Sequence, residues 1–185
     1  VERNPDRQNQ VLISEDLTES FEPIVGQPVM LRTLRREDID IEAAFLSGLS
    51  PESRHNRLLG GMIRITREYL ERLTTVDFSR DMALAAALML EDREVLIGVA
   101  RYVLEAEGRA CEFALVVADA WQGRGIGRRM MEKLIAVARG RGLHRIYGDV
   151  LSTNGHMLDF CRKLGFELHR HHDDPTVTRA TLELS

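Results

Sequence analysis

The stretch Val116–Gly142, "VVADAWQGRGIGRRMMEKLIAVARGRG", constrains the fold more than any other part of the sequence. An apolar run leads into a turn, then into Gly123, Gly125 and Gly127 spaced by single residues, then into an amphipathic pattern closed by Gly140 and Gly142. The run reads as a strand and the pattern from about Gly125 to Arg139 as a helix. Glycine in a helix costs about 0.5–1 kcal/mol relative to alanine, so three glycines at a helix mouth need a reason beyond propensity. A strand that enters a helix through glycines presents bare N–H groups, the unpaired donors of the first turn, at the positive end of the helix dipole. That is an anion site, and phosphate is its usual guest. Arg124, Arg128 and Arg129 add positive charge around it.

The rest of the chain supplies a sheet for this unit. Residues 1–23 are polar and mostly aperiodic and read as an N-terminal tail or arm; 24–185 read as one domain with no internal repeat or linker. Val29–Leu34 alternates as a strand. A helical pattern follows, with Ile39, Ala43, Phe45 and Leu46 on one face. Ser50 and Pro51 then mark a second helix start, and Thr66 a third. Asp81–Leu90, Glu94–Glu105 and Ala110–Val117 are strands joined by short charged turns, which predicts an antiparallel meander. After the glycine helix come a strand at "HRIYGDVL", a helix at "TNGHMLDFCRKLG" and two closing strands around "DDPT". This is a mixed α/β sheet covered by helices, with roughly six or seven strands and about four helices.

Composition narrows the function classes. The 185 residues suffice for one sizeable core, and a net charge of −4 argues against nucleic acid as the main partner. Cys111 and Cys161 match no zinc spacing and form no disulfide framework, so they read as buried thiols in a reducing cytoplasm. The apolar runs are too short to span a bilayer, and no secretory leader or membrane association is expected. His169, His171 and His172 invite a metal reading; a polar strand end lining an acceptor entrance is preferred, and no metal is expected.

The spacing excludes two common phosphate-binding motifs. The dinucleotide fingerprint needs glycine where Arg128 stands, and the P-loop GxxxxGK[ST] is absent. What stands here is Gln122-Gly123-Arg124-Gly125-Ile126-Gly127, the form [QR]xxGxG. With a strand before it, a helix and strand after it, Asn154, and the ending Lys163-Leu164-Gly165-Phe166, the sequence resembles the GNAT superfamily of acyl-CoA N-acyltransferases from about Val29 to Leu184. "LSPESRHNRLLGGM" and "VDFSRDMALAAAL" further resemble the GNAT domain of bacterial protein-lysine acetyltransferases, which regulate acyl-CoA synthetases.

The resemblance implies a GNAT-like fold with a splayed strand pair, acetyl-CoA as cosubstrate, and an amine as acceptor. It places Gln122–Gly127 and Arg128 on the cofactor's pyrophosphate. Val116 and Val117 fall on the splayed strand, where free backbone grips the pantetheine arm and holds the oxyanion. Asn154 falls beside that arm, with the plain alternative that it caps the next helix. Lys163 belongs to the matching ending. Cys161 falls where many members carry a tyrosine that serves as general acid. Glu112 matches the strand position of the catalytic glutamate in several members. A lysine amine has a pKa of about 10.4, so a base is needed near neutrality. The expected activity is acetyl transfer from acetyl-CoA to a primary amine, preferably a protein lysine such as one on an acyl-CoA synthetase. The alternatives are a small-molecule amine acetyltransferase or an inactive CoA-binding sensor.

Overall fold

The computed structural model describes residues 17–62 and 64–184. Eight strands form one sheet: β1 (Glu19–Ile24), β2 (Gln27–Thr33), β3 (Met82–Leu90), β4 (Arg93–Leu104), β5 (Ala110–Val117), β6 (Arg145–Leu151), β7 (Glu167–Arg170) and β8 (Val177–Glu183). Their order is β1-β2-β3-β4-β5-β6-β8-β7. Every neighbouring pair is antiparallel except β5–β6, which is parallel. Among the described residues five α-helices accompany the sheet: α1 (Ile39–Gly48), α2 (Pro51–Arg57), α3 (Arg67–Thr74), α4 (Ile126–Gly140) and α5 (Gly155–Lys163). None of the described helices is long and apolar enough to cross a membrane.

The sheet is buried on both faces because its central strands leave little to solvate. Residues Met82 to Leu88 of β3 are all buried, as a strand apolar on both faces must be. On one face α4 lays Met130, Met131, Leu134 and Ala138 over the sheet, none of them exposed. Leu34, Phe45 and Leu49 build the smaller core on the other face, against Ala85, Val99 and Val116. The sequence signals for helix starts hold. Ser50 accepts the N–H of Ser53 at 3.1 Å, and Thr66 accepts that of Tyr69 at 3.2 Å.

The sequence differs from the structure at the N-terminal side. Residues 19–23, read as tail, lie in β1, which pairs with β2. Glu19 ion-pairs with Lys133 at 2.8 Å and with Arg129, and the Arg129 guanidinium lies 4.5 Å from the Phe21 ring centroid. Edge strands need only one apolar side, so the alternation was faint. The remainder of the expected tail, 1–16, lies outside the described residues. β1 is the strand beyond the seven read from the sequence, and α2 starts at the Ser50–Pro51 signal.

Candidate active site

β5 and β6 begin as partners and then part. Their rungs are Ala110–Arg145, Cys111–Ile146 and Glu112–Tyr147, and no rung follows. The next residues explain the break. Phe113 is buried and packs edge-on against Phe166 at 5.2 Å, and its ring covers Gly148 of β6. A Cβ on Gly148 would lie 2.6 Å from that ring, so only glycine admits the wedge. Beyond it the space available to the centres of water-sized groups is about 520 Å³, walled by β5, the glycine turn, β6 and α5.

The parted half of β5 offers backbone to this cleft in a fixed parity. Ala118 donates to Ile97 at 2.8 Å, and Glu105 donates to Ala110 at 2.9 Å. With the β4–β5 register Gly98–Val117 through Leu104–Cys111, antiparallel alternation turns residues 112, 114 and 116 toward β4. Phe113, Leu115 and Val117 face the gap. Val116 therefore lines the cleft, but its N–H is committed to β4. This corrects the expectation that Val116 and Val117 both present free donors; Leu115 and Val117 do.

At the turn, Gly123 and Gly125 take left-handed φ values of 72° and 82°, a region side chains resist. Nothing lies within 4 Å of a Cβ built on either, and no side chain caps α4. Gln122 fastens the turn by donating Nε2 to the Val117 carbonyl at 3.0 Å and to Ser53 Oγ at 3.2 Å. Asp119 fastens it again. Its carboxylate accepts from Ser50 N at 3.0 Å and from Ser50 Oγ and Ser53 Oγ at 2.7 Å each, which pulls its pKa to about 2. Gln122, Gly123, Gly125, Gly127 and Arg128 line the cleft. Two residues of the motif do not. Arg124 turns back to donate to the Ala120 carbonyl at 3.1 Å, with its guanidinium over Trp121, and the Ile126 side chain is in the core. Arg129, expected at the anion site, is spent on β1.

At the start of α5, Asn154 caps the helix and also lines the cleft. Its Oδ1 caps the helix by accepting Met157 N–H at 3.1 Å, and the residue lines the cleft, as does Lys163. Cys161 is corrected. It is fully buried in the apolar core rather than in the cleft wall, and burial pushes its thiol up to about 12. At about 100° per residue, its neighbour Phe160 takes the cleft-facing place.

Glu112 stands on the last rung before the strands part and opens into the cleft. Its side chain is open to the cleft, yet partial desolvation by the protein around it and the nearby Asp149 push its pKa up, against the opposing pull of Arg179 and Arg57. Asp149 is held in place by Arg179, which donates Nε and Nη2 at 2.8 Å each. His171, at the end of β7, lies 3.0 Å from Arg179 Nη2. Sequence reasoning missed Asp149, Arg57, Asp119 and Phe160. Asp149 and Arg179 are opposite on β6 and β8, a pairing visible in sequence only once that register is known.

The Acetyltransferase (GNAT) family model matches residues 59–166. The chain belongs to the GNAT family. Acetyltransferase PA5475 of Pseudomonas aeruginosa is 38% identical over 152 residues, 82% of this chain and 81% of that protein. The GNAT domain of S. lividans PAT superposes with a TM-score of 0.78 at 26% identity, covering 91% of this chain and 98% of that domain. A GNAT-family acetyltransferase from Streptococcus pneumoniae shares the fold, with a TM-score of 0.70 at 20% identity over 85% of this chain and 99% of that one.

As a GNAT acetyltransferase, the protein is an acyl-CoA-dependent enzyme that moves an acyl group from acetyl-CoA to an amine. The residues present fit that cosubstrate. Uncapped N–H groups and open glycines suit a diphosphate, and the unpaired edge of β5 suits the amide-bearing arm that connects it to the thioester.

Proposed function

We propose that this acetyltransferase acetylates a lysine of a protein, with Glu112 as the general base and without a covalent enzyme intermediate. The observation that carries the reading is the place of Glu112. It is a carboxylate of raised pKa at the point where β5 and β6 part, on the strand that carries the free N–H groups of Leu115 and Val117 further along. Glu112 takes the proton of the incoming ammonium. The amine nitrogen then bonds to the acyl carbon while the carbon–sulfur bond breaks. The free N–H groups of Leu115 and Val117 stand about 6.5 Å apart along the strand, so one donates to the carbonyl oxygen as negative charge builds there and the other to the arm that carries the thioester. The nitrogen loses a second proton as the amide forms, and the departing thiolate, whose conjugate acid lies near 8.5, about 1–2 units above neutrality, takes it up through water without a tyrosine in the place of Cys161. The glycine turn and Arg128 hold the diphosphate, and Asn154 and Lys163 line the arm. The likeness to the GNAT domain of PAT supports a protein acceptor over a small amine. Two buried, unpaired thiols support a cytoplasmic location.

The test is Glu112→Gln. A lost base lowers kcat by roughly 10²- to 10⁴-fold, while the affinity for acetyl-CoA stays near wild type. Because the base works deprotonated and its pKa is raised, wild-type kcat/KM falls as pH drops through a value above the ordinary carboxylate range, and the Gln variant loses that limb. Unchanged turnover in Glu112→Gln removes Glu112 from the mechanism. Faster turnover of free polyamines or amino acids than of lysine peptides removes the protein acceptor.

A further inference from the structure

A second cavity adjoins the cleft on the face covered by α1, α2 and α3. The two meet at Arg57 and Val116, which line both. Its space for the centres of water-sized groups is about 30 Å³, room for about two waters. Leu46, Leu49, Leu73 and Val99 make its wall apolar. Three arginines face a single glutamate there: Arg54, Arg57 and Arg101 against Glu42.

Several polar groups of this cavity lack partners among the described residues. Arg101 Nε and Nη2 are buried with no hydrogen bond, and so is Glu42 Oε2. Glu42 is 1% exposed. The Arg57 side chain makes no hydrogen bond or ion pair among the described residues, although it lies close enough to act electrostatically on Glu42, Arg101 and Glu112. Arg54 alone is satisfied, by the carbonyls of Ser47 at 3.2 Å and Leu49 at 3.1 Å. Buried donors without acceptors are rare because they are costly, and a cavity whose walls place them beside the reacting centre is shaped for a guest.

We propose that this cavity is a carboxylate subsite of the acetyltransferase. Nε and Nη2 lie on one edge of the Arg101 guanidinium, a fork that matches the two oxygens of a carboxylate. Arg57 guards the entrance from the cleft, and the excess of positive charge is reduced when a carboxylate enters. The inference deepens the reading of the neighbouring cleft and rests on it, since the carboxylate must be carried by one of the two reactants. One source is the acceptor, as an acidic group beside the amine. The other is the acyl donor, as a carboxylate at the tail of a short acyl chain.

Two matched pairs separate the sources. One pair is lysine peptides that differ only in Asp or Asn beside the target lysine, titrated into the CoA-bound protein and assayed with acetyl-CoA. The other is succinyl-CoA against butyryl-CoA, measured for binding by calorimetry and for turnover with the Asn peptide. The subsite predicts a preference of about tenfold or more for the carboxylate member of one pair, in Kd and in kcat/KM. Preference in the first pair assigns the acceptor, and in the second the donor. Arg57→Gln, on the half-buried end of α2, abolishes the preference; Arg101→Met does the same where its Tm shows it folded. If neither pair is discriminated by the wild-type protein, the cavity holds water only and the proposal fails. Turnover of both peptides with neither pair discriminated sinks the subsite and leaves the lysine reading standing. Preferential binding without turnover of any amine does the reverse.

Discussion

At the cleft the chain turns from strand into helix twice, and the two helices start differently. β6 enters α5 through Asn154, whose side chain satisfies a first-turn donor. β5 enters α4 through Gly125, which has no side chain to offer and sits at φ 82°. The sequence is not short of caps, since Ser50 and Thr66 begin α2 and α3 in the same way as Asn154 begins α5. Among the helices that line the cleft, α2, α4 and α5, the uncapped start belongs to α4, the one that closes the parted strands. A capped helix mouth spends its donors on stability; a bare one at the same depth in the fold keeps them for a guest.

The largest effect that tests this contrast comes from Gly125→Ala. A left-handed backbone strains a side chain by roughly 1–2 kcal/mol, and the new methyl enters the space the diphosphate needs. Loss of donors to a charged group lowers acetyl-CoA affinity by about 10- to 100-fold, read by calorimetry; wild-type affinity in a folded variant breaks the comparison. Asn154→Ala acts on the other helix and on another quantity. Removing the cap costs about 1 kcal/mol, a fall in Tm of roughly 2–4 °C for a domain of this size, with a smaller change in acetyl-CoA affinity than Gly125→Ala produces. The smallest effect belongs to Cys161→Ala. Its thiol is buried and stays protonated, so turnover remains at the wild-type level and stability drops by about 1 kcal/mol or less. A large loss of turnover with Tm intact returns a chemical role to Cys161.

Features written in local order were legible in the sequence. The strand, the QGRGIG turn and the helix stand where the spacing put them, and so do the caps at Ser50 and Thr66, because backbone geometry at a turn depends on a few adjacent residues. What failed depends on orientation. Counting back from Gly165 set Cys161 beside the cleft, yet one residue along a helix rotates the side chain to another face, and Phe160 stands there. The parity of β5 is equally silent in sequence, since only the β4 register decides that Leu115 and Val117, not Val116, turn toward the gap. Arg124 and Ile126 sit inside the motif but point elsewhere. Arg57, Arg101 and Glu42 come from α2, β4 and α1 and meet only through tertiary packing, which no local pattern records.

Comparing coenzyme A with pantetheine, which lacks every phosphate, tests the bare helix start most directly. Calorimetry on the wild-type protein and on Gly125→Ala gives four dissociation constants. The structure predicts that wild type binds coenzyme A at least about 100-fold more tightly than pantetheine, and that the substitution removes most of that advantage while leaving pantetheine binding alone. Equal affinity of the wild-type protein for the two ligands would show that the glycine turn holds no diphosphate.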